Sequence, residues 1–188
     1  MADQPDRQAA EGAIDAFLRA IGLDPAVHPA LVGTPARVTT AYLDELCAGY
    51  RVDPAELLRH HVVLGTTAVV ALRAVSVTTM CPHHLMPATG LGTVAYAPRT
   101  KLVGLGVLAG LLDAFAHRLI LQEEIGEGVV SSLHRELDTE WVACRLVLSH
   151  GCITARGERK HGTTVETIAF LGDSTARAEA FAVVGAGA

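Results

Sequence analysis

Two runs that carry both cysteine and histidine, Cys81-Pro82-His83-His84 and Ser149-His150-Gly151-Cys152, constrain this chain more than any other feature. Each stands at the end of a stretch rich in Val, Thr and Leu that reads as a β-strand. Two thiols and three imidazoles from these runs can converge on one metal ion, which ties the ends of two distant strands to one place. The set exceeds what a three-ligand catalytic zinc requires and leaves histidines free for proton transfer. That surplus points to an enzyme rather than a structural knot.

Cys81 and His84 are spaced C-x-x-H, a common first pair for zinc at a turn. Strand alternation over Trp141–Ile153 puts Val142, Cys144, Leu146, Leu148, His150 and Cys152 on one face, with His150 and Cys152 roughly 7 Å apart at Cα. A structural site would take four protein ligands, for example Cys81, His84, Cys152 and either His150 or Cys144. A catalytic site would take three and keep a position for water. The spacing leaves both open. An ordinary core thiol is the simpler reading of Cys144 alone, but not of the whole set.

Around these runs the pattern is regular. Ile14, Phe17, Leu18 and Ile21 mark a helix over residues 6–22, stopped by Gly22. Thr34 as N-cap and Pro35 at the first helical position start a second helix that continues to about Gly49. Residues 60–80 read as strand, broken at Gly65-Thr66, and Pro82 ends the part that runs from Val69 into Cys81. Leu91–Tyr96 is a strand and 97–100 a turn closing a hairpin. A buried helix over 103–122 and a second over 124–137, which follows directly or after a kink at Gly126, precede strands at Trp141–Ile153 and Thr163–Leu171. The result is an α+β chain: a four-stranded antiparallel sheet with two helices on one face over residues 51–175. A helical segment, 1–50, precedes it, and an Ala/Gly-rich tail, 176–188, follows as a short frayed helix. Open sheet edges invite pairing with further copies, so a homo-oligomer is expected.

Composition narrows the function. Half of the 188 residues are hydrophobic, enough for a sizeable core. The net charge of −5, with Lys101 and Lys160 as the lysines, argues against a general nucleic-acid binder. No apolar run reaches bilayer length, and the acidic N-terminus lacks a signal-peptide core. The chain is therefore expected to be cytoplasmic, without a membrane partner, and its four cysteines (47, 81, 144 and 152) to be metal ligands or packing residues rather than disulfides.

These runs occur among others that make a larger pattern: Gly33-Thr-Pro-Ala-Arg-Val38, Tyr96-Ala-Pro98, Val103-Gly-Leu105, Leu121-Gln-Glu123 and Ala155-Arg-Gly157. With Cys81–His84 and Ser149–Cys152, the chain resembles GTP cyclohydrolase I over roughly residues 10–172. The resemblance implies a tunnelling fold, in which subunit sheets join into a barrel with helices outside and sites lie between subunits, typically in a decamer of two pentameric rings. It implies Zn2+ on Cys81, His84 and Cys152, with His83 and His150 as the proton-transfer residues. Glu123 would accept hydrogen bonds from the guanine N1 and 2-amino groups, with Gln122 beside it, and Arg37, Arg156 and Lys160, with Arg159 nearby, would face the polyphosphate. The chemistry suits these residue types. Purine C8 is a poor electrophile, so zinc is needed to activate water, and an imidazole titrating at about 6.5 can protonate the ring nitrogen as C8 is attacked. The nucleobase-deaminase pattern, H-x-E with P-C-x-x-C, is absent.

The chain departs from the resemblance in one segment. Where the family carries Ser, Lys and Arg against ribose and triphosphate, this chain has Gly106, Val107 and Gly110; it also has Thr40 for a usual Lys and Pro82 for a usual Glu. Each charge-assisted hydrogen bond contributes roughly 1.5–3 kcal/mol, so losing several weakens triphosphate binding by orders of magnitude. Three expectations follow: a GTP cyclohydrolase, the same ring opening on guanine, 8-oxoguanine or a non-triphosphorylated guanosine, or a non-catalytic purine- or zinc-binding protein.

Overall fold

A computed structural model describes residues 4–59, 62–64, 68–157 and 159–186. The expected strand break at Gly65-Thr66 lies outside them. The chain forms two compact units, Met1–Ala48 and Gly49–Ala188.

In the first unit, α1 (Arg7–Ala20) is capped by Asp6, whose carboxylate accepts from the Ala9 N–H at 2.9 Å. The next helix starts at α2 (Thr34–Thr40), with Pro35 inside its first turn as expected. Its N-cap is Gly33 at φ 75, not Thr34. A β-carbon is costly in that left-handed conformation, so glycine fits. The expected run to residue 49 changes hand-hold at Ala41: residues Ala41–Leu46 widen into a π-helix, and a 3₁₀ turn covers Ala48–Arg51. Arg7 ties the two segments together through both oxygens of Asp44 at 2.7 Å.

The second unit opens with α3 (Pro54–Arg59), unexpected from periodicity but signalled by Asp53-Pro54 as a cap and first helical residue. Then come β1 (Val62–Leu64), β2 (Val70–Met80), β3 (Pro87–Pro98) and β4 (Lys101–Val103), followed by α4 (Leu105–Ala116) and α5 (Gln122–Leu137). They are followed by β5 (Thr139–His150), α6 (Gly151–Thr154), β6 (Val165–Gly172) and α7 (Arg177–Gly185). The sheet is antiparallel in the order β2-β3-β5-β6, and a separate pair joins β1 to β4. Val103 thus leaves the expected helix and joins Lys101 and Leu102 in a strand.

Alternation decides the faces. Val94, Tyr96, Val142, Cys144, Leu146 and Leu148 point to α4 and α5 and form the main core with Leu108, Leu111, Leu112, Ile125 and Leu133. Each fully buried Leu or Ile there contributes roughly 1.5–3 kcal/mol. α5 runs through Gly126 as one helix, so of the two alternatives the kink is absent. A β-carbon on Gly126 would sit 3.0 Å from that of Ala169, so the glycine serves close packing of the helix on β6. The opposite face is not bare: α7 places Ala180 and Val184 against Ala95, Ala97, Trp141 and Ala143. Among the described residues no helix is long and apolar enough to cross a membrane.

Candidate active site

β2 and β5 each pair antiparallel with β3, so they run parallel to one another and their C-terminal ends fall at the same end of the sheet. Thr79 lies opposite Ala88, and Ala88 opposite His150, in one row across three strands. The link from β2 to β3 is tight. The Cys81 N–H donates to the Met86 carbonyl and the Leu85 N–H to the Cys81 carbonyl, both at 2.9 Å. This turn presents His83 and His84 outward.

β5 stops at His150. Cys152 does not continue the strand face, as alternation suggested, but sits in the helical turn α6. Gly151 makes that turn possible: a β-carbon there would stand 2.9 Å from the Pro87 carbonyl at the start of β3. The turn brings Cys152 back to Cys81. Ligand atoms of Cys81, His84 and Cys152 all lie within 4.8 Å of one another, and no other group of this kind occurs among the described residues. The Nδ1 atoms of His84 and His83 lie 3.8 and 3.9 Å from the Cys81 Sγ. Tetrahedral zinc, with bonds of about 2.3 Å to sulfur and 2.0 Å to nitrogen, needs ligand atoms under 4 Å apart. Two thiols and an imidazole are also the donor types zinc takes, so the residues fit the ion. Cys144, the other candidate fourth ligand, is wholly buried in the core, where burial pushes its thiol up to about 12.

Glu123 and Gln122 open α5, and consecutive helical residues diverge by about 100°. Glu123 is exposed, whereas Gln122 is 3% exposed and turned into the sheet. The Gln122 Nε2 lies 3.2 Å from the Leu146 carbonyl, 3.0 Å from the Val165 carbonyl and 3.1 Å from Thr167 Oγ1. Three acceptors fix the amide's orientation, so its Oε1 faces the His150 Nε2 at 2.7 Å. An amide oxygen only accepts, so that ring nitrogen carries the hydrogen. Burial lowers the His150 pKa, with Glu123 pulling weakly the other way. The neutral ring therefore has one lone pair, on Nδ1.

His83, His84, Cys81, Cys152, His150, Gln122 and Glu123 all line one cavity of about 170 Å³. Arg156 and Lys160 lie outside its lining, although the positive charge of Arg156 acts on Cys152. Arg37 belongs to the first unit, where its guanidinium donates to the Val32 carbonyl and Thr34 Oγ1, both at 2.9 Å. Sequence reasoning missed Thr79, which lines the cavity with its hydroxyl buried and unpartnered among the described residues. Its position, two residues before Cys81 on the inward face of β2, was the available signal. A buried hydroxyl without a partner costs roughly 1–3 kcal/mol. Thr79→Val should therefore raise unfolding stability by about 1 kcal/mol, read from the urea midpoint at unchanged slope.

The family model for GTP cyclohydrolase I matches residues 10–184. A GTP cyclohydrolase 1 of Leifsonia xyli subsp. xyli is 37% identical over 188 residues, covering 97% of both chains. One from Brucella anthropi is 38% identical over 178 residues, covering 94% of this chain and 83% of the relative. A crystal structure of the archaeosine synthase QueF-Like in the apo form overlays 58% of this chain and 98% of its own at a TM-score of 0.48 and 18% identity.

Proposed function

The chain belongs to the GTP cyclohydrolase I family, and from that premise we propose that it is a zinc-dependent hydrolase opening the imidazole ring of a guanine compound at C8. The observation that carries the reading is the convergence of Cys81, His84 and Cys152 beside His83, His150 and Glu123 on one small cavity. Cys81, His84 and Cys152 would hold the ion. Zinc so held would supply Lewis-acid activation of the attacking water.

The other groups divide the remaining work. His150, neutral and held at Nε2, can take a proton at Nδ1 and return it to the ring nitrogen that leaves C8. His83, exposed beside Cys81, is the second proton carrier. Glu123, in the first turn of α5, accepts from the donor–donor edge of guanine; adenine cannot satisfy it, and an unsatisfied carboxylate is a strong selector. Two successive hydrolyses release C8 as formate, and with GTP the family product is dihydroneopterin triphosphate. Arg37, Arg156 and Lys160 would meet phosphate. The cavity is smaller than the roughly 300 Å³ at which drug-sized sites begin, in keeping with a pocket for the base alone. We place the enzyme in the cytoplasm as a homo-oligomer, a decamer by family likeness, with neither nucleic acid nor membrane as partner.

The competing reading is the same chemistry on a guanine compound without a triphosphate. One observation favours it: packing does not demand the small residues at the start of α4. A β-carbon on Gly106 meets nothing within 4 Å, and one on Gly110 meets only Leu57 at 3.9 Å. A β-carbon is accommodated at both positions, yet the family's Ser and Arg are not there. Zinc-loaded protein incubated with GTP, guanosine, guanine and 8-oxoguanine, with products identified by mass spectrometry, decides between the two. Ring opening of GTP with no turnover of the others supports the first reading; the reverse supports the second; intact purines throughout would leave only a binding role. On the second reading, the combined change Gly106→Ser, Val107→Lys and Gly110→Arg should lower the KM for GTP by about 10²-fold or more, from two new charge-assisted contacts.

A further inference from the structure

We infer that Gln122 is a positioning residue for His150 and does not read the substrate. The inference rests on the reading of His150 as a proton carrier. The amide has two hydrogens and one oxygen, and protein groups engage all of it: the Leu146 and Val165 carbonyls and Thr167 Oγ1 surround the nitrogen, and His150 Nε2 meets the oxygen. The side chain is 3% exposed. No donor is left for a ligand, and the oxygen, already facing His150, is buried with the rest of the residue. The neighbouring Glu123, exposed at the cavity, holds the substrate-facing position instead.

The arrangement has a chemical consequence. Leu146 lies on β5, and Val165 and Thr167 lie on β6, so Gln122 is anchored to two strands before it touches His150. Because its oxygen can only accept, the imidazole is held as the Nε2–H tautomer and its lone pair stays on Nδ1. A ring free to exchange tautomers would spend part of its time with the wrong nitrogen protonated.

Two variants separate positioning from a purely structural role. Gln122→Glu keeps an acceptor for His150 but loses the donors to β5 and β6. Gln122→Met keeps the shape and loses both. The measurement is the nitrogen-15 spectrum of His150 in zinc-loaded protein, alongside kcat, KM and melting temperature. The expected result is an Nε2–H signature in the wild type and in Gln122→Glu, and a mixed-tautomer signature in Gln122→Met. With it, kcat should fall about 10-fold or more in Gln122→Met, recover partly in Gln122→Glu, and KM should change little. An unchanged tautomer in Gln122→Met overturns the inference, as does a rise in KM at unchanged kcat. The spectrum is readable without turnover, so inactivity of the wild type on every guanine compound would count against the proposed function and not against this assignment.

Discussion

Cys152→Ala should release the metal and abolish turnover together. With Cys81, His84 and Cys152 as the proposed ligands there is no spare, and the nearest other thiol in sequence, Cys144, is locked in the core, where burial pushes its thiol up to about 12. Removing Lewis-acid activation costs several kcal/mol of transition-state stabilisation, and each 1.36 kcal/mol is tenfold in rate. A fall in kcat of about 10³-fold or more is therefore expected, with zinc per chain, measured by elemental analysis after dialysis, dropping from near one towards zero. The fold should persist, because the main core lies further along the sheet and Cys152 is not part of it. Full zinc content in the variant would remove Cys152 from the site.

His150→Ala should behave differently: zinc stays and the rate falls. General acid–base groups contribute roughly 10²–10⁴-fold, so kcat should drop within that range while metal content remains that of the wild type. KM should move little, since the ring is held by Gln122 and the proposed contact to the base edge belongs to Glu123. His83→Ala should produce a smaller loss of the same kind because its ring is exposed and replaceable by water. An unchanged kcat in His150→Ala would break the assigned proton path, and loss of zinc would move His150 into the ligand set.

The difference between the two variants mirrors what the residues disclosed in advance. The β2–β3 and β5–β6 hairpins and the two helices between them were legible because their apolar periods are long and clean. The Cys81, His84 and Cys152 group was legible because both runs sit where strands end. The end of β5 was not. A period of two cannot say where a strand stops, so alternation carries Cys152 two residues past the real end of a strand that closes at His150 and turns through Gly151. The same blindness merged α4 with the start of α5, hiding the break at 117–121 that sets Gln122 at a helix N-terminus. Once that register is known, Gln122 and Glu123 separate: one faces the sheet and the other the cavity. The covering of the second sheet face by α7 was muted by an Ala- and Gly-rich tail with little contrast between its sides.

The central claim is that this site hydrolyses a guanine ring at C8. GTP, guanosine and guanine carrying carbon-13 at C8 should each be given to the zinc-loaded protein, and the label followed by carbon NMR. The account predicts that, from at least one of them, the label leaves as formate, one equivalent per ring opened. Label retained in intact purine for all three, with zinc bound at one per chain, would contradict it.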